Sequence, residues 1–159
     1  MKILLYIPAL LLALQMPASA QSKKEIRKYA VKSTQVTDTQ NGKTLNNKKT
    51  VFTKDGEVAE EYDYDKDGTL KAVRKYKYNR NGDVTEEEEY DAKTKKTEKK
   101  VNKYNALGER TEEQVYDAGG KLVKTHYYTY NSKGLRTEKK TLDASAKVIC
   151  IRTYAYEYK

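Results

Sequence analysis

The chemistry available to this chain rests on one histidine, one cysteine, an Asp-Lys-Asp-Gly stretch and fifteen tyrosines set among lysines and arginines. A lone histidine acts as a general base only with a nucleophile and an orienting group beside it. His126 is instead expected mid-strand, facing Glu112 as an ordinary sheet side chain. Cys150 lies in Val148-Ile149-Cys150-Ile151 and reads as a small buried residue of an apolar strand, with an intermolecular disulfide as its other use. Asp65-Lys66-Asp67-Gly68 resembles the start of a calcium loop, but the glutamate that closes an EF-hand loop is missing and Asp-x-Asp-Gly is common turn chemistry. No His or Cys cluster has zinc spacing. There is no glycine-rich phosphate loop or nucleophile elbow. The sequence therefore predicts no catalytic residue, no metal and no cofactor. What remains is a row of rings, Tyr76, Tyr78, Tyr104, Tyr128, Tyr130, Tyr154 and Tyr156, beside basic residues. Such rings stack against sugar faces or a partner protein; alternatively they pack on one another as the core of the sheet.

The elements that place this row follow from an internal period. Turn glycines stand at Gly42, Gly56, Gly68, Gly82, Gly108, Gly120 and Gly134, and the one double gap divides at Thr94. The period is 26 residues: Phe52, Tyr78, Tyr104, Tyr130 and Tyr156 obey it, as do Tyr64, Tyr90, Tyr116 and Leu142. Each period holds a Tyr-Asn-x-x-Gly turn (Tyr78 to Gly82, Tyr130 to Gly134) and a Tyr-Asp-x-x-Gly turn (Tyr64 to Gly68, Tyr116 to Gly120). Asn or Asp bonds its own backbone at the turn entry, and Gly supplies the positive φ at the exit. Between turns, Thr, Val, Tyr and alternating charge are strand chemistry. About ten strands are predicted, over 25–38, 43–53, 57–64, 69–78, 83–90, 95–104, 109–116, 121–130, 135–142 and 147–158. No segment shows helical periodicity. The fold class is all-β, an antiparallel meander.

Alternation of side chains sorts the residues by parity. Even positions carry most tyrosines, and odd positions carry mostly Thr, Lys and Glu. Pairing Tyr64 with Leu70 and Tyr78 with Val84 puts Arg74 opposite Glu60 and Glu88, and Lys75 beside Glu87, itself beside Lys99. Acidic strands thus alternate with basic ones. Cross-strand pairs contribute about 0.2–1 kcal/mol each, and the alternation penalises register slips. The charge runs read as devices that specify the sheet.

The first twenty residues have the form of an export signal: Lys2, an apolar run from Ile3 to Leu14, and Ala18-Ser19-Ala20 before a cut at Gln21. The domain expected to fold is 21–159, with 31 basic against 23 acidic residues, a net charge of +8. Only 20 of those residues are Leu, Ile, Val or Phe, so fourteen tyrosines must supply much of the apolar surface. Mid-strand charges on both faces exclude an outer-membrane barrel, which needs an apolar lipid-facing band. They also disfavour a closed soluble barrel. An open twisted sheet, a single layer solvated on much of both faces, fits best.

Tyr62-Asp63-Tyr64-Asp65-Lys66-Asp67-Gly68-Thr69-Leu70 resembles the Tyr-x-Tyr-Asp-x-x-Gly-x-Leu signature of YD repeats, the hairpin units of RHS proteins and teneurins. Tyr76 to Val84 and Tyr128 to Leu135 are similar, with Asn for Asp, and the resemblance extends loosely over 43–158. RHS proteins wall a shell around a toxin domain with many such units; about four units and no cargo segment do not carry that activity over. The chain looks more like small tyrosine-rich hairpin proteins exported by Bacteroides-type bacteria, which implies fold and compartment only. The expected function is an exported, non-catalytic binding or interaction module of the cell envelope, periplasmic or extracellular, whose partner is a glycan or an envelope protein. The alternatives are a structural protein that assembles through its sheet edges and a weak binder of anionic polymers drawn by net charge. Neither a specific nucleic acid nor a membrane span after signal removal is expected.

Overall fold

A computed structural model describes residues 22–159, so the export signal lies outside the described residues. Ten antiparallel strands form one sheet in chain order, and its two edges do not meet. The strands are β1 (Ser33–Gln40), β2 (Lys43–Phe52), β3 (Val58–Tyr64), β4 (Leu70–Tyr78), β5 (Val84–Asp91), β6 (Lys96–Tyr104), β7 (Arg110–Tyr116), β8 (Leu122–Tyr130), β9 (Arg136–Asp143) and β10 (Val148–Thr153). The open meander expected from the repeat is the fold. Its core is thin: Ile26, Ala72, Val115 and Tyr128 are the buried apolar side chains.

The start of the first predicted strand is a helix, α1 (Lys23–Lys28), and β1 begins only at Ser33. A capping box makes the difference. Ser22 Oγ accepts from the Glu25 N–H, and a Glu25 carboxylate oxygen accepts from the Ser22 N–H at 3.0 Å. Glu25 in the first turn and Arg27 and Lys28 in the last suit the helix dipole. At six residues α1 is too short to show a periodic pattern, but Ser-x-x-Glu marks its start. The last strand is also shorter than predicted, ending at Thr153.

The turns behave as their chemistry requires. In the Asn turn at 79–82, Asn79 Oδ1 accepts from the N–H groups of Asn81 and Asp83, and Gly82 takes φ +87°. In the Asp turn at 65–68, Asp65 Oδ1 accepts from Asp67 and Thr69, so the calcium-like aspartate is engaged by its own backbone. Two turns lack glycine: one places its left-handed residue at Lys95 (φ +55°), one position beyond Thr94, and the β9–β10 turn places it at Ala146 (φ +62°).

One device controls the register. In seven hairpins an extra residue bulges from the outgoing strand, three positions after the left-handed turn residue. The bulged residues are Ala59, Lys71, Thr85, Thr111, Val123, Thr137 and Ile149. The hairpin at Lys95 lacks the bulge and has a turn one residue longer, which keeps the 26-residue frame. Each bulge shifts the pairing by one. The end pairs Tyr64–Leu70 and Tyr78–Val84 form as expected, but beyond them every partner moves. Arg74 stands opposite Glu61 and Glu89 rather than Glu60 and Glu88. Lys75 pairs with Glu88, Glu87 with Lys100, and His126 with Glu113 rather than Glu112.

The even and odd faces are corrected with the register. Even residues of one strand share a face with odd residues of the next. Tyr76, Tyr78, Tyr104, Tyr128 and Tyr130 therefore lie on one face toward the Asn turns. Tyr62, Tyr64, Tyr90, Tyr116 and Leu142 lie on the other, toward the Asp turns.

Candidate functional site

The row of candidate ligand-facing tyrosines is real as a row, and the sheet uses most of it for itself. Tyr78, Tyr104, Tyr130 and Tyr156 donate their hydroxyls to the carbonyls of Val58, Val84, Arg110 and Arg136 at 2.7–2.8 Å, each spanning twenty residues. Every acceptor is the residue just before a bulge. A bulge leaves ladder groups unpaired, and a buried unpaired carbonyl is costly. The tyrosine of one repeat thus satisfies the bulge of the repeat before it. Burial pushes the Tyr78 hydroxyl up to about 12. These four hydroxyls are structural.

The second set has a different neighbour. Tyr76 and Tyr128 donate to Glu61 (3.4 Å) and Glu113 (3.3 Å). Tyr128 is 5% exposed, and its ring is covered by cations: Arg136 at 4.4 Å, Arg110 at 5.0 Å and Lys139 at 5.7 Å from the centroid. Its ring is core rather than platform, and burial raises its hydroxyl to about 12. Tyr154 and Tyr156 sit at the open end of the row, where Tyr156 is 40% exposed. The Tyr154 hydroxyl lies beside Arg136 and Arg152, and these guanidinium groups, Arg136 foremost, hold it below the ordinary tyrosine value.

Around Tyr128 the structure assembles a polar cluster that the parity reading missed. Arg110 donates to Glu113 at 2.6 Å and to Asn102 at 3.3 Å. His126 is buried, with Nδ1 2.9 Å from Thr141 Oγ1 and Nε2 3.7 Å from Glu113. The carboxylate it faces is the bulge-shifted one. Buried position first, then Lys139, holds the imidazole below its usual value; Glu113 opposes this, while Lys124 and Arg110 add to it. The unfolded chain therefore binds the proton more tightly. Full stability is present above the unfolded pKa of about 6.5 and is lost as pH falls toward the lower folded pKa. The urea midpoint is expected to drop between pH 7.5 and 5.5, and His126→Gln is expected to flatten that drop. An unchanged slope in the variant would assign the pH dependence to the carboxylates.

Cys150 is exposed, against the expectation of burial. β10 is an edge strand paired on one side only, and all six of its residues are exposed. Ile149 and Ile151 stand 58% and 55% exposed beside it. Among the described residues no group of three or more His, Cys, Asp or Glu converges. No described helix is long and apolar enough to cross a membrane.

No family model matches this chain, and no curated protein matches it. Among solved structures it is similar to a Bacteroides fragilis protein of unknown function. That alignment is 12% identical, covers 80% of this chain and 96% of that one, and has a TM-score of 0.37.

Proposed function

We propose that this chain is an exported, non-catalytic interaction module of the cell envelope, a YD-like hairpin sheet that assembles by pairing β10 with β10 of a second copy. The observation that carries this reading is the composition of that edge. Sheet edges are ordinarily blunted with lysine, proline or covering elements. β10 presents Val148, Ile149 and Ile151 to solvent and carries a single charge, Arg152. The opposite edge, β1, is Thr, Gln, Ser and Asp around one valine, a poor match for isoleucines.

The ladder sets the geometry of such a pair. The Tyr154 N–H donates to the Thr137 carbonyl at 3.0 Å, so residues 150, 152 and 154 turn their backbone groups toward β9. Ile151 and Thr153 turn theirs to the open edge. An antiparallel partner then meets Cys150 at a non-hydrogen-bonded position, where opposed Cα atoms lie about 4.5 Å apart, within disulfide range. A two-fold through Cys150 also places Arg152 opposite Val148 of the second copy, so like charges stay apart.

Reduced protein is expected to dimerise with rising concentration in sedimentation velocity, Cys150→Ser included. Ile151→Lys should stay monomeric, since each buried isoleucine contributes about 1.5–3 kcal/mol. Adding oxidised glutathione should give a dimer resistant to denaturant but not to reductant. The two Cys150 thiols give up two protons and two electrons, and one glutathione disulfide is reduced to two thiols. A parent chain that stays monomeric at all concentrations overturns the reading. Export is read separately, by an N-terminus at Gln21 in the fractionated protein.

A further inference from the structure

Aligned on the 26-residue period, several columns of the sheet converge on the tyrosine-ladder face. One column is Tyr76, Asn102, Tyr128, Tyr154, and its neighbour is Glu61, Glu87, Glu113, Lys139. A third is Val58, Val84, Arg110, Arg136, and a fourth is Arg74, Lys100, His126, Arg152. In three units the second column is a carboxylate with work to do. Glu61 accepts from Tyr76 at 3.4 Å, Glu87 lies 3.5 Å from Lys100, and Glu113 takes both Arg110 at 2.6 Å and Tyr128 at 3.3 Å.

The last unit breaks the column. Lys139 stands where the carboxylate should be, and Arg136, the counterpart of Arg110, faces a like charge three residues on. Arg152 is the counterpart of Arg74, which is held by Asp63 at 2.5 Å and Glu89 at 2.9 Å. For Arg152 the position matching Asp63 is Thr141. Among the described residues, Arg136, Lys139 and Arg152 make no ion pair within 4.0 Å. Arg136 Nε is buried with no hydrogen-bond partner. A buried donor left unmade is expensive, and three cations with no carboxylate paired to them are a site for one.

We propose that Arg136, Lys139, Arg152 and Tyr154 bind the carboxylate of an acidic sugar, which supplies the negative charge that Glu61, Glu87 and Glu113 supply in the other units. Guanidinium groups pair with carboxylates through paired, charge-assisted hydrogen bonds. The sugar follows from what surrounds the cations. Tyr156, 40% exposed, offers a ring to solvent beside Arg136, to whose carbonyl its hydroxyl is bonded at 2.7 Å. A flat aromatic face takes the face of a sugar ring, whereas an acidic side chain of a protein leaves it bare. The site lies on the sheet face and the assembly reading on the β10 edge, so each stands without the other.

The test is isothermal calorimetry of the full mature chain with oligogalacturonate, with neutral oligogalactose and oligoglutamate as comparators. Oligogalacturonate is expected to bind the parent and to bind Ile151→Lys equally. Lys139→Glu restores the carboxylate that the repeat uses elsewhere; it is expected to keep its unfolding midpoint and lose at least about tenfold in affinity, the worth of one charge-assisted contact. Arg152→Gln should weaken binding without unfolding the sheet. No heat with oligogalacturonate, or equal affinity in Lys139→Glu, overturns the site. Oligoglutamate bound as tightly as the uronate overturns the sugar.

Discussion

Tyr128→Ala is expected to lose about 3–5 kcal/mol of unfolding free energy, the range for removing a buried large aromatic. The ring is 5% exposed and lies beneath Arg136 and Arg110, with His126 tilted at 6.4 Å between centroids. Four apolar side chains are buried in the described sheet and helix, so this ring is a large share of a small core. Total stabilities of about 5–15 kcal/mol leave little behind such a loss. Removal also uncovers Glu113, which loses the Tyr128 hydroxyl and keeps Arg110. Guanidinium titration at pH 7.5 should show a lower midpoint, with Tyr76→Ala losing less because that ring is only half-buried. Equal losses at the two positions would mean that the row stabilises the sheet uniformly and Tyr128 has no special place.

The second large effect is at a turn. Gly56→Ala is expected to cost about 3 kcal/mol, and Gly42→Ala about 1–2 kcal/mol. Both glycines hold a left-handed backbone, at φ +79° and +75°, so both variants bear the conformational cost. A Cβ on Gly42 meets nothing within 4 Å, whereas one on Gly56 comes within 2.8 Å of the Lys23 carbonyl and of Arg27 Cγ. The carbonyl belongs to α1 and cannot yield without moving the helix. That helix is tied down by buried Ile26 and by the ion pair of Lys23 with Glu57. The pair of variants separates helix docking from turn strain. Matched losses would show that α1 does not rest on the β2–β3 turn.

Much of the sheet was legible because its signals are local. An Asn or Asp bonding its own backbone and a glycine at positive φ act within five residues, and they place the hairpins wherever they occur. The first helix was missed for the opposite reason, since six residues carry no periodicity and only Ser22 and Glu25 announce it. The cation site was missed because parity set Glu112 beside His126. Reading down the repeat columns, where Glu61, Glu87 and Glu113 give way to Lys139, is the signal that would have found it.

The sequence alone determined the number of strands, the 26-residue frame, the antiparallel order and the end pairs Tyr64–Leu70 and Tyr78–Val84. The tertiary structure decided which residues share a face, that Cys150 is exposed and that the last unit holds unpaired cations. The physical reason is the bulge. A strand alternates faces with period two, so one inserted residue reverses every side chain beyond it. The bulged residues, Ala59, Lys71, Thr85, Thr111, Val123, Thr137 and Ile149, share no side-chain type that would mark them. Their position is set by the backbone leaving the turn, and at Ala59, Thr85, Thr111 and Thr137 the cost is met by a tyrosine hydroxyl that only the assembled sheet brings within reach.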